Sequence, residues 1–481
     1  MRCVIALLLL FMSISSTNSL KVGIIGGGVA GLSCARQLAS LGIESSVFDT
    51  GKVYPGGRCS SRVVKIGGDE IVIDHSTQFF TAKSEAFRDF LVSSNDVAIW
   101  RGQFGSISNE RKFAAIPTEL DRYVGVNGVR SFVTSLSANL NVKNPTWVSK
   151  MIKNNDESWS LFEFNKPLGT FDFIVIAHNG KCADKLLSST SSHRVHDLLK
   201  VSFGSKIASI ESMRKMQLCS LWAMMLIVPR SLGLSLDAAS VDGSDVLSFV
   251  SCTTTKLRNS RSVAEAGDKP DNGAEAWTLV STREFGSEYK CPQENIPTSR
   301  EAEVKELMLA EFARVLSPSA DQKTLLSNLV FSKVQLWGAA VPLNRHSSDC
   351  ILDGEDRIGI CGDWFTPFSN AAPGVESAFC SGHSLATRIA ENLATATPIG
   401  HGFESHHCFE AVQTHPLGDL IPRDGDSSGL KGPPLRLGQQ VPRPGSCSSR
   451  PIIKPTPGNV TSGSQPKKVW TRQKPTPSNV T

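Results

Sequence analysis

The chain has no Cys-x-x-Cys pair, no His-Glu-x-x-His motif and no second Gly-x-Gly-x-x-Gly turn beyond the one at residues 26–31. Its twelve cysteines are scattered at irregular spacing, or eleven once Cys3 is set aside. That pattern is not a disulfide framework. Cys34, Cys361 and Cys380 fall inside apolar helix or strand patterns and read as small buried hydrophobes. No stretch of 18 or more apolar residues occurs, so no membrane span is expected. Charge of one sign is also missing from the body. From Pro398 onward lie ten of the 50 Lys+Arg and five of the 45 Asp+Glu, leaving 40 of each in residues 1–397. A neutral body carries no electrostatic footprint for nucleic acid, so no nucleic-acid partner is expected.

What is present is the composition of a globular protein, 40% apolar and 20% charged over 481 residues. That length suits two domains and a tail. Met1-Arg2 precedes a ten-residue apolar run (CVIALLLLFM) and a small-residue exit (SISSTNS). The pattern is that of a secretory signal over residues 1–19, with a plastid presequence as the alternative. After Thr397 the character changes: thirteen of the 25 prolines follow, with two near-copies, KPTPGNVT and KPTPSNVT. Residues 398–481 are therefore expected to be disordered. Asn459 and Asn479 sit in sequons that would accept glycans on a secreted chain.

Residues 21–25 (KVGII) read as a strand, Val29–Leu41 as a helix, and Glu44–Asp49 as a second strand. Together they form one β-α-β unit with a right-handed crossover. Residues 71–74 and 171–177 read as strands, the latter as a central parallel strand covered on both faces. Helices are expected at 85–93, 128–139 and 374–393, and a last buried strand at Arg357–Cys361.

Three motifs carry chemistry. Gly26-x-Gly28-x-x-Gly31 follows the first strand and opens the helix. Gly26 allows the turn, Gly28 lets a pyrophosphate approach, and Gly31 lets helix and strand pack closely. The helix start, with Ala30 in its first turn, presents free N–H groups to phosphates. Asp49 ends the second strand, where an acid bonds the ribose hydroxyls. Second, Gly56-Gly57-Arg58 follows, with Gly57 allowing close approach and Arg58 reaching phosphate or ring. Third, Gly362-Asp363 and Gly374-Val375-Glu376 lie far downstream. There an aspartate after a buried strand meets ribityl or phosphate groups, and a helix start favours negative charge on a flavin. This second contact selects FAD over NAD.

The segments GGGVAGLSCARQL, VFDTGKVYPGGRCSSR, DHSTQFFT, YVGVNGVRSFV, LWAMML and GICGDWF…GVESAFCSG resemble the renalase-like branch of the FAD-dependent amine oxidase superfamily, including its plant and algal members. The resemblance spans roughly residues 21–395. It implies an α/β fold: a glutathione-reductase-like Rossmann-type FAD domain with an inserted mixed α/β substrate domain. It further implies that the backbone of Val148 contacts adenine. No cysteine stands where covalent-flavin relatives attach the ring, which implies non-covalent FAD. The implied chemistry is oxidation of a C–H next to nitrogen, with hydride passing to flavin N5 and O₂ as final acceptor. The expected substrate is a small amine or a reduced nicotinamide-like ring. The pocket lysine of the polyamine and monoamine oxidases has only a loose counterpart in Lys333.

The expected FAD domain is discontinuous, over 20–75, 125–190 and 351–397. The substrate domain covers 76–124 and 191–350. No residue can be assigned to catalysis from sequence; His75, Gln78 and Trp337 are weak candidates. His75 reads more readily as a structural histidine, and Trp222, Trp277 and Trp337 as packing residues. His401, His406, His407 and Cys408 match no clean ligand spacing, so no metal is expected. Two rival readings are a dehydrogenase passing electrons to a quinone or protein, and a secreted protein holding FAD without turnover. Oligomeric state is not legible.

Overall fold

The strand Lys21–Ile25 buries every side chain after Lys21, which is what a strand at the centre of a covered parallel sheet requires. In the computed structural model, which describes residues 20–117, 120–178, 180–209, 211–259, 273–369, 371–395, 398–403 and 409–412, it pairs in parallel with Glu44–Phe48 on one side and Phe173–Ile176 on the other. Ile358–Ile360 and Val142–Lys143 extend the parallel set outward. Among the described residues this makes a seven-stranded sheet, with Ile351–Asp353 and Gly400–His401 added antiparallel at one edge.

The helix Val29–Ser40 crosses between the first two strands, with Leu32, Ala35 and Leu38 buried. Ala39, next along the helix, is exposed. The helix Val375–Ala394 packs against it so closely that a Cβ on Gly382 would strike the carbonyl oxygen of Ala30. This close crossing brings the starts of both helices to one end of the sheet. The opposite face is covered by a three-stranded sheet, Lys150–Lys153, Trp159–Glu163 and Lys166–Phe171. Trp159, Phe171 and Phe48 share its core.

A second sheet, of eight strands among the described residues, is built around Met216–Val228, a strand buried along its whole length. Its side chains alternate between two faces. Trp222, Met224, Leu226 and Val228 pack with Val304, Met308 and Phe312 of the helix Thr298–Leu316. Each such fully buried side chain contributes about 1.5–3 kcal/mol relative to exposure. The other face, including Leu221, turns toward Phe79 and Trp337.

The tail expectation needs one correction. The chain does not leave the fold at residue 398. Gly400–His401 pairs with Leu352 and Asp353, and Phe409–Ala411 pairs with Asn344–His346. Phe409 is 8% exposed and packs on Trp364, so its burial offsets the cost of ordering the segment. Residues 1–19, 413–481, His406, His407, Cys408, and the sequons at Asn459 and Asn479 lie outside the described residues. So do residues 260–272, which follow the helix Thr253–Asn259.

Candidate cofactor and substrate site

A cavity of about 950 Å³ opens at the carboxyl end of the parallel strands and runs between the two large sheets. The glycine turn forms part of its wall. Gly26 has φ +114° and donates its N–H to Phe48 O at 2.9 Å. At Gly31 a Cβ would collide with Gly26 O, so glycine there serves packing. Gly28 is different. Its backbone is extended, and a Cβ there would meet nothing within 4 Å. No protein atom demands glycine at this position, and the side-chain direction points into open cavity. The helix beyond it has no side-chain cap and no acid in its first turn, so its free N–H groups are available to an anion. The cradle therefore fits a pyrophosphate.

Asp49 takes Gly27 N–H at 2.9 Å on one carboxylate oxygen and Gly51 N–H at 2.8 Å on the other. Burial raises its pKa, opposed by those bonds from Gly51 and Gly27. Asp49 lines the cavity, and its carbonyl oxygen accepts from Thr146 N at 2.7 Å. That bond brings Trp147, Val148 and Ser149 to the wall beside it. Val148 thus lines the cavity beside Asp49.

Gly56 N donates to Gly27 O at 2.7 Å, laying the Gly56-Gly57-Arg58 loop along the glycine turn. Arg58 does not stand free to meet a phosphate. Its two terminal nitrogens each donate to Asp363 at 2.8 Å, and Nη1 also donates to Ala340 O at 2.7 Å. Burial lowers the guanidinium pKa, but the Asp363 charge more than offsets it and the net shift is upward. Arg58 and Asp363 line the cavity as a neutralised pair. The separate roles expected for them are corrected accordingly.

Gly362, Gly374, Val375 and Ala378 line the same cavity, and the helix Val375–Ala394 enters it with no side-chain cap. Glu376 is a second correction. It is 5% exposed, and its carboxylate accepts from Lys83 N at 2.8 Å and Ser84 N at 2.5 Å. It holds the chain before the helix Glu85–Ser93 and does not face the cavity.

Of the weak catalytic candidates, Trp337 lines the cavity. His75 lies behind it: the rings stack at 5.6 Å and 13°, and the indole donates to His75 O at 3.0 Å. Burial, aided by the Arg62 charge, pushes the imidazole pKa down to about 4, so the ring is neutral. Gln78 is 1% exposed and is spent on Asp74 O and Ser76 O, both at 2.9 Å. Its role is to shape the turn. Trp222 and Trp277 pack in the helix-covered core, with Trp222 also bordering the cavity. Lys333 is exposed and outside the cavity wall.

Sequence reasoning missed the group that holds this turn. Lys256 is fully buried, and its Nζ lies 2.5 Å from Asp74 Oδ2 and 3.2 Å from both Gln78 oxygens. Asp74 Oδ1 accepts from Ser61 Oγ at 2.6 Å and Val129 N at 2.9 Å. Ser76 and Thr77, which line the cavity, hang on this network. His178 was also missed. It lines the cavity, its Nδ1 lies 3.0 Å from Ile25 O, and burial lowers its pKa. His401 belongs to a polar cluster: Asp349 meets His401 at 2.7 Å and Arg388 at 3.1 Å.

Residues 24–93 match the family model of an NAD(P)-binding Rossmann-like domain. Among solved structures, a candidate protoporphyrinogen oxidase from Exiguobacterium sp. 255-15 aligns with TM-score 0.53 and 9% identity, over 78% of this chain and 99% of that one. Cyclohexylamine oxidase from Brevibacterium oxydans IH-35A aligns with TM-score 0.49 and 12% identity, over 79% and 100%. The first likeness shows a shared fold. The chain is a mixed α/β protein with a glutathione-reductase-like Rossmann domain. No helix among the described residues is long and apolar enough to cross a membrane.

Proposed function

We propose that the chain is an FAD-dependent oxidoreductase of the renalase-like, amine-oxidase-related type, holding its cofactor without a covalent bond and acting on a small molecule. The observation that carries this reading is the continuity of one cavity. It joins the cradle at Gly28, the carboxylate of Asp49, the Arg58–Asp363 pair and the uncapped start of the helix Val375–Ala394. A nucleotide alone would occupy only the first two.

In this reading the Gly28 cradle and the helix behind it receive the pyrophosphate, Asp49 the adenosine ribose, and Val148 the adenine. Gly57, Arg58, Gly362 and Asp363 line the stretch between the two helix starts. Gly374 and Val375 turn free N–H groups toward the ring, favouring negative charge there. Bound FAD supplies a two-electron acceptor for hydride from a substrate carbon next to nitrogen, with O₂ as the final oxidant.

The chain's own part is orientation and exclusion of water. Phe79, Leu221, Ala223, Val280 and Trp337 give the cavity an apolar wall. Two of the carboxylates lining the cavity are engaged, Asp49 by backbone N–H groups and Asp363 by Arg58. A third, Glu294, is exposed. Among the described residues the apolar wall itself carries no carboxylate, which favours a substrate nitrogen that reacts uncharged. That suits a neutral amine or a reduced nicotinamide-like ring.

Purified protein should carry flavin absorbance, and acid precipitation should release the flavin to the supernatant. Colourless protein that FAD cannot reconstitute would refute the proposal; flavin retained in the pellet would refute the non-covalent part. Anaerobic bleaching by a panel of amines and reduced nicotinamides identifies the substrate. The rate of recovery in air then separates an oxidase from a dehydrogenase. The apolar run near Met1 supports entry into the secretory pathway, testable by the N-terminus of protein recovered from the producing cell.

A further inference from the structure

We infer that Trp147 and Phe164 form an aromatic clamp that receives the adenine ring of the dinucleotide. The inference rests on the FAD reading above and adds to it the residues that select an adenine-bearing flavin.

The position follows from one hydrogen bond. Asp49, the ribose carboxylate, accepts Thr146 N on its carbonyl at 2.7 Å. A base attached to that ribose has the residues next along the wall within its reach. Those are Trp147, Val148 and Ser149, with Phe164 beside them. Both aromatic side chains are open, Trp147 at 44% exposure and Phe164 at 73%.

The two residues are held in one frame. Trp147 N donates to Glu163 Oε1 at 3.0 Å, and Ser149 N donates to Phe162 O at 2.9 Å. Phe164 N donates to Ser149 Oγ at 2.6 Å. Phe164 itself has φ +55°. A bulky L residue adopts that left-handed conformation only at a cost. The hairpin tip thus bears a strained backbone and a large exposed apolar ring, both at the mouth of the cavity. A flat heteroaromatic ring covers such faces without needing side-chain donors or acceptors, which is how aromatic platforms bind bases. A phosphate or an aliphatic substrate would leave the rings wet.

The test uses the full chain, freed of flavin and titrated by calorimetry with FAD, ADP and FMN. Trp147→Ala and Phe164→Gly should each weaken FAD and ADP binding by about 5- to 150-fold, the range expected for losing one stacked ring. FMN has no adenine, so its affinity should not change. Trp147→Phe should stay close to wild type. Phe164→Gly should also raise the melting temperature of the apoprotein, since glycine relieves the strained φ. A merely structural role would move stability and affinity down together. FAD affinities within about twofold of wild type in both variants overturn the clamp, as does an equal loss for FMN. Wild-type chain that binds ADP but neither flavin overturns the FAD reading and leaves the clamp on the adenosine half standing. Wild-type chain that binds none of the three overturns both.

Discussion

Arg58 and Asp363 meet through two parallel hydrogen bonds of 2.8 Å although 305 residues separate them in the chain. One stands in the loop that follows the first β-α-β unit, the other just after the last parallel strand, Ile358–Ile360. Their pairing closes the cavity wall between the starts of two helices, and Ala340 O fastens the same guanidinium to the second sheet.

Cutting that pair should be costly and non-additive. Asp363→Ala leaves the Arg58 charge facing the cavity without its partner, and Arg58→Ala does the reverse. Arg58 is 32% accessible, so solvent relieves part of the loss. A destabilisation of about 1–3 kcal/mol is expected for either change, with reduced flavin content. The double variant should lose clearly less than the sum. Arg58→Lys should behave like a loss, because an ammonium cannot form the fork. Chemical denaturation of the four variants checks this; strictly additive losses would show that the two side chains act independently.

Two glycines of the same turn should fail in different ways. A Cβ at Gly28 meets no protein atom, whereas one at Gly31 collides with Gly26 O. Gly28→Val should therefore fold with a near-normal apoprotein melting temperature and bind no flavin. Gly31→Val should lose stability by several kcal/mol, the scale of overpacking against backbone, whether or not flavin is supplied. Melting curves and flavin absorbance on the two proteins distinguish the outcomes. A Gly28→Val protein with full flavin content would remove the cradle from the site.

The difference between those glycines marks how far the sequence could be read. The turn at Gly26–Gly31, Asp49 and the downstream Gly362-Asp363 were legible because local geometry dictates residue type at fixed spacing. The facing wall was not. Leu221 and Trp337 stand opposite each other only through the register of two antiparallel strands more than a hundred residues apart. Glu376 read as a cavity residue because helix starts look alike in sequence, yet its side chain turns back to Lys83 and Ser84. Gly400–His401 is too short to show a period. Lys256, in the polar stretch TTTKLRN, looks like a surface residue until the fold brings Asp74 to it.

That buried lysine gives the third prediction. Lys256 and Asp74 are 0% and 1% exposed in their side chains and lie 2.5 Å apart. Removing one partner strands the other in a dry interior, at a cost of about 3–5 kcal/mol. Lys256→Met should therefore show a strongly lowered denaturation midpoint. The replacement pair Lys256→Met with Asp74→Asn should recover part of it, since an amide can still accept from Val129 N and Ser61 Oγ. The turn carrying Ser76 and Thr77 should loosen in the single variant, read as faster amide exchange over 74–78. Unchanged exchange there would mean that the turn holds without the lysine.

Acid should destabilise the fold through its buried histidines. Burial pushes His346 down to about 4, with the nearby His401 adding to the shift; the residue is 1% exposed and its Nε2 has no hydrogen-bond partner among the described residues. His75 is also pushed to about 4, first by burial and then by Arg62. In the unfolded chain these groups titrate near their ordinary 6.5. Between pH 6.5 and 4 the unfolded state therefore binds more protons than the folded one, and stability falls as pH falls. For His346 the span amounts to about 3 kcal/mol once pH is below 4, and for the more open His75 to less. Asp349, held well below its ordinary range by His401 and Arg388 against the effect of burial, adds a loss of the same sign at lower pH. Urea midpoints should thus decline steadily from pH 7 to pH 4.5. His346→Gln should flatten that decline by removing one proton-binding site from the unfolded chain. A variant whose decline runs parallel to wild type would show that His346 takes up its proton without unfolding.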